Sequence, residues 1–161
     1  MEGFEKMVVY GVSFDVSNKQ PIVLLKAEAG NRYLPIWIGH PEAAAILMKL
    51  QNADLPRPMT HDLLMNVIGH LHARLDRVLV TELKDNTFYA VINLETGAGP
   101  MEVDSRPSDA IALAVRADAP IFASTDLLDS TAIEFDQEVE NSEEIVDQFR
   151  EFLDNISPED F

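Results

Sequence analysis

Asp104 to Asp109 (DSRPSD) packs two carboxylates, two hydroxyls, a guanidinium and a proline into one short run. Pro107 suits a first helical position, so the run reads as a strand that ends at Asp104 and turns into a helix. Such a corner can hold an anion through Arg106 and the helix-start amides, or a divalent cation through its carboxylates. The same residues can also serve structure alone. Ser108 and Asp109 can satisfy first-turn amides, and Arg106 can pair with Asp104 or Asp109.

Two other corners carry chemistry-bearing residues. Thr60, His61 and Asp62 open a helix after the Pro56 to Pro58 loop. The histidine and aspartate could share a metal, or the aspartate could orient the histidine as a general base. Neighbours on a helix point about 100° apart, so one ion cannot face both without help from the cap. The plain alternative is a Thr60 cap with Asp62 matched to the helix dipole. In Gly39-His40-Pro41-Glu42 a strand again meets a helix start, and Glu42 can neutralise the helix end, ligate a metal or act as a base. His70 and His72 diverge and read as solvated or as matched to the helix dipole. Trp37 reads as core. No P-loop, dinucleotide glycine fingerprint, H-E-x-x-H or G-x-S-x-G occurs.

The elements that must position these corners follow from pattern. Met7 to Val16 and Pro21 to Ala27 form a β-rich hairpin around Asn18 to Gln20, and Arg32 to Ile38 adds a strand whose Pro35 marks an edge or bulge. Glu42 to Leu50 is a helix. Leu63, Leu64, Val67, Ile68 and Leu71 then mark the apolar face of a second helix. Leu75 to Leu83 and Thr87 to Leu94 flank Lys84 to Asn86 as a second hairpin, and Met101 to Asp104 is a short strand. Pro107 starts a third helix and Pro120 ends it, ahead of the short apolar run Ile121 to Ala123. Asp126 to Leu128 forms a helical turn, and Thr131 to Asn141 is irregular. Ser142 to Ile156 places Ile145, Val146, Phe149, Phe152, Leu153 and Ile156 on one helical face. The fold expected is α+β: a mixed, largely antiparallel sheet with helices packed on it, and a C-terminal amphipathic helix. Residues 1–130 make the domain and 131–161 an acidic linker with that helix.

Cysteine is absent, which excludes disulfides, thiolate metal sites and a cysteine nucleophile. No run of about 18 apolar residues encodes a membrane span, and Met1 to Val9 lacks a basic n-region followed by an apolar run, so a soluble cytoplasmic protein with no membrane partner is expected. The net charge of −16 is uneven: residues 126–161 hold 13 acids against Arg150, whereas residues 1–125 hold 15 acids and 11 bases. The body is therefore only mildly acidic, yet it shows no basic stripe. A polyanionic substrate would need a metal or a local cluster of Arg and Lys assembled by the fold.

Leu34 to Glu42 (LPIWIGHPE), Arg57 to Leu64 (RPMTHDLL), Phe88 to Val91 (FYAV) and Val103 to Ala114 (VDSRPSDAIALA), in that order and spacing, resemble the bifunctional nuclease domain family over roughly residues 7–130. His40 departs from the pattern, where the family more often has proline or a small residue. The C-terminal helix does not resemble the excision-repair-type module that ends some relatives. The resemblance implies self-association into a homo-oligomer and hydrolysis of phosphodiester bonds in DNA or RNA. Its motif blocks nominate Glu42, His61, Asp62, Asp104, Arg106, Ser108 and Asp109. On that reading, carboxylates led by Asp104 and Asp109 hold Mg²⁺ or Mn²⁺, Arg106 and Ser108 bind the phosphate, and His61 moves a proton. Two other readings compete: an oligomeric binding or regulatory protein without catalysis, and a small anionic ligand held by Arg106 and helix amides.

Overall fold

The computed structural model describes residues 2–134. The chain runs β1 (Phe4–Asp15), β2 (Gln20–Ala27), β3 (Arg32–Trp37), α1 (His40–Leu50), α2 (Thr60–His70), β4 (Arg74–Lys84), β5 (Thr87–Thr96), β6 (Gly99–Ser105), α3 (Pro107–Ala117), β7 (Ile121–Ser124), α4 (Thr125–Thr131) and β8 (Ile133–Glu134). Eight strands form one sheet in the order β6-β5-β4-β7-β1-β2-β3-β8. Every pairing is antiparallel except β4 with β7, which the α3 crossover makes parallel. The α+β class with a mixed, largely antiparallel sheet thus stands as expected. The helix expected over Ser142 to Ile156 lies outside the described residues.

Local chemistry accounts for the junctions. Asp85 and Asn86 take positive φ (52° and 62°) between the paired Lys84 and Thr87, the conformation of a two-residue primed turn that Asp and Asn tolerate. Pro35 pairs with Leu24 of β2 while its other side lies beyond the reach of β8, which pairs only with Arg32 and Tyr33. The missing N–H therefore disrupts no ladder. Arg32 ties this edge down through Glu5 (2.6 Å) and Asp129 (2.7 Å). Those bonds outweigh the effect of burial and raise its pKa.

The core lies between the sheet and the helices. Val23, Leu25, Leu34, Ile36, Val78, Val80, Ala90 and Ile92 meet Ala43, Ile46, Ala110, Ile111, Leu113 and Ala114 there. α3 is the central helix, and its alanines let it approach both the strands and α1 closely. Ile22, Leu24, Tyr33 and Trp37, on the alternate positions of β2 and β3, are buried as well. α2 departs from expectation. Its apolar spacing is real, yet no residue of it is buried, and Leu63, Leu64, Val67 and Leu71 are 54%, 43%, 44% and 73% exposed. Met65 and the half-buried Ile68 form the side that meets the body.

Candidate functional site

Three helices begin in the same way. α1, α2 and α3 follow Gly39, Met59 and Arg106, and each carries a carboxylate at its third residue: Glu42, Asp62 and Asp109. At that position an acid ordinarily reaches back to the amide that precedes the helix. Only Asp62 does so, accepting from the Met59 N–H at 3.0 Å. Thr60, expected as the cap, is instead the first helical residue, because Met59 takes the extended backbone of the residue that precedes the helix.

Glu42 and Asp109 turn elsewhere. His61 Nε2–H donates to Asp109 Oδ1 at 2.8 Å. Arg106 donates to Asp109 Oδ2 from Nε (2.9 Å) and from one Nη (2.8 Å), and the same Nη reaches Glu42 Oε1 at 2.9 Å. Capping therefore does not account for Asp109: both its oxygens are used on side chains from two elements. Glu42 is nearly enclosed, with a side chain 10% exposed, whereas Arg106 is 54% exposed and lies at the solvent side of the cluster. Burial works against the Arg106 charge, but its bonds with Asp109 and Glu42 outweigh that and raise its pKa. An ionised carboxylate can only accept, so the proton of this bond sits on His61 Nε2, which leaves Nδ1 as the ring atom facing away from Asp109.

Asp62 lies beside this cluster and binds a different arginine. Arg116 Nε donates to Asp62 Oδ1 at 2.7 Å, and its two Nη atoms donate to the carbonyls of Ala112 (2.9 Å) and Ala45 (3.0 Å). The Arg116 bond, aided by the Met59 amide, holds the Asp62 carboxyl below the usual carboxylate range. Arg116 was not a sequence candidate. The available signal was its spacing: seven residues after Asp109, it returns to the same face of α3.

The remaining candidates stand apart. Asp104 pairs with Val91 in the ladder, while Val103 and Ser105 pair with the buried Ile92 and Ala90. Alternation therefore turns Asp104 to the face away from the helices, where it is exposed and forms no ion pair among the described residues. Ser108 is buried behind Arg106, lining a recess of about 40 Å³ with Ile36, Trp37, Gly39 and Phe88. Among the described residues no three His, Asp or Glu side chains form a group that could hold a metal ion. Asp109 and Glu42 bind guanidinium where a cation would need them, so the donor set does not fit Mg²⁺ or Mn²⁺. Among the described residues, no helix is long and apolar enough to cross a membrane.

The geometry thus unites Glu42, Arg106, Asp109 and His61 and leaves Asp104 outside. Residues 23–136 match the family model of the bifunctional nuclease domain, and the chain belongs to that family. It is 39% identical over 159 residues to an uncharacterized protein of Mycobacterium tuberculosis, with 95% of each chain covered. It is also 26% identical over 110 residues to Bifunctional nuclease 1 of Oryza sativa subsp. indica, a stretch that is 66% of this chain and 33% of the rice protein. Bifunctional nuclease of Oryza minuta gives the same figures.

Proposed function

We propose that this member of the bifunctional nuclease domain family hydrolyses phosphodiester bonds of DNA or RNA at the His61–Asp109–Arg106 cluster. The observation that carries the reading is Asp109, whose two oxygens hold a histidine and an exposed arginine from separate elements at 2.8 Å each. Asp109 orients the ring and stabilises the imidazolium that forms when Nδ1 takes a proton. His61 Nδ1 removes a proton from the attacking water, the water oxygen bonds to phosphorus, and the P–O bond on the far side breaks. The departing oxygen, on the side away from His61, takes its proton from solvent water, and the imidazolium releases its own to bulk solvent. The outer Nη of Arg106, which does not contact Glu42 or Asp109, binds a non-bridging phosphate oxygen while Glu42 fixes the guanidinium from behind. The test is cleavage of labelled single-stranded DNA and RNA by the purified chain and by His61→Ala. Equal cleavage by both would remove the proposal.

A second reading has its own support: the exposed Leu63, Leu64 and Val67 on α2, with Leu71 just past its end, suit contact between copies of this chain. In an oligomeric binding protein the Asp109 cluster would serve as a staple between α2 and α3. Homo-oligomerisation is compatible with either activity. Mass in solution, measured for the full chain and for Leu64→Asp, tests it, and a monomer in both cases would exclude it.

A further inference from the structure

On the other side of Asp62 the surface opens into a depression of about 300 Å³, walled by Met48, Lys49, Leu55, Arg57, Asp62 and Arg116. That volume sits at the small end of sites that take nucleotide-sized ligands. Three cations and one carboxylate line it, in a chain whose net charge is −16. Arg116 and Asp62 neutralise each other, and the arginine is locked in place by two carbonyls, with its side chain only 8% exposed. Lys49 and Arg57 are different. Both are exposed, and neither has a carboxylate within ion-pair distance among the described residues. Lys49 also offsets the carbonyl end of α1. Arg57, in the 51–59 loop, has no comparable structural task.

The depression also lies close to the catalytic cluster. His61 and Asp62 are successive on α2, and their partners Asp109 and Arg116 are seven residues apart on α3, about 10 Å along the helix axis. A phosphodiester chain engaged at His61 can place a neighbouring phosphate there. We infer that the Lys49–Arg57 depression is a phosphate subsite that holds the backbone of the strand cut at His61. This rests on the nuclease reading for the identity of the ligand. The charge arrangement itself asks only for a phosphate, so a free nucleotide is the competing source.

The experiment uses the full chain and the double variant Lys49→Ala/Arg57→Ala. Neither residue belongs to the catalytic cluster, and a thermal melt checks that the variant folds. Binding of a fluorescent single-stranded oligonucleotide is followed by anisotropy across a salt series, with a nucleoside monophosphate as competitor, and cleavage is followed in parallel. The double variant is expected to bind about tenfold or more weakly. Its slope of log affinity against log salt should be shallower by roughly 1.4, at about 0.7 per lost phosphate contact. KM should rise while kcat holds, and Lys49→Arg/Arg57→Lys should restore binding. Unchanged affinity and slope in a chain that still cleaves would overturn the subsite and leave the nuclease reading standing. Oligonucleotide binding that depends on Lys49 and Arg57, without cleavage, would support the subsite and sink the nuclease reading. Binding of the monophosphate alone would overturn the assignment to a strand.

Discussion

His61 and Asp109, 48 residues apart in sequence, meet at 2.8 Å and join the first turn of α2 to the first turn of α3. The histidine side chain is 12% exposed and the carboxylate 31%, so the bond sits at the edge of the body where a substrate can approach. A base that must be both oriented and reachable needs this placement.

Truncation of the base should remove most of the rate. His61→Ala is expected to lower kcat for oligonucleotide cleavage by roughly 10²- to 10⁴-fold, the usual contribution of a positioned general base. Arg106→Lys keeps the charge but cannot bridge Asp109 and Glu42 together. It should raise KM and lower kcat, measured on the same substrate.

Asp104→Ala should leave cleavage within about twofold of wild type, because β6 turns that side chain to the opposite face of the sheet. EDTA should likewise leave the rate unchanged. Loss of activity in either assay would restore the metal-held arrangement expected from Asp104 and Asp109, with a rearranged corner.

Arg116→Ala tests the support of the site. It removes three bonds, to two helix carbonyls and to Asp62, and opens space on α3, so unfolding free energy should fall by roughly 2–4 kcal/mol in a denaturant titration. A loss below about 0.5 kcal/mol would show that the bonds seen here hold nothing together.

The pH dependence follows from Asp62, whose carboxyl is depressed below 3.8 by Arg116 and the Met59 amide. A depressed acid stabilises the fold fully above its unfolded pKa and loses that contribution as pH falls through its folded pKa. Melting temperatures of wild type and Asp62→Asn should therefore differ at pH 7 and converge as pH falls beneath the ordinary carboxylate range and through the folded pKa of Asp62. A gap independent of pH would show that charge is not what Asp62 contributes.

Gly39→Ala probes Glu42. A Cβ there would lie 3.0 Å from Glu42 Oε1 and 3.3 Å from Oε2, while the backbone φ of −76° suits alanine. The carboxylate must give by a few tenths of an ångström, which loosens its hold on Arg106. Cleavage should weaken with little change in melting temperature, and wild-type activity would show that Glu42 is not a positioning residue.

Much of this architecture was legible because it is local. Prolines at 41 and 107 announced helix starts, Asp85-Asn86 announced a hairpin, and the helix-start acids stood one residue after Pro41 and two residues after Thr60 and Pro107. What joins the corners was not. The bond between His61 and Asp109 depends on how α2 packs on α3, which no short-range pattern encodes. Asp104 was grouped with Asp109 by proximity in sequence, although the two-residue period of β6 already separated it from Val103 and Ser105. α2 was readable as amphipathic, but periodicity reports that a face is apolar and not what covers it.

The most direct measurement is single-turnover cleavage of a labelled single-stranded oligonucleotide by wild type and Asp109→Asn, with thermal melts of both. The asparagine keeps the shape of the corner while removing the charge that orients His61 and holds Arg106. The account predicts a fall of about 10²-fold or more with a fold that still melts cooperatively. Equal rates for the two folded proteins would contradict it.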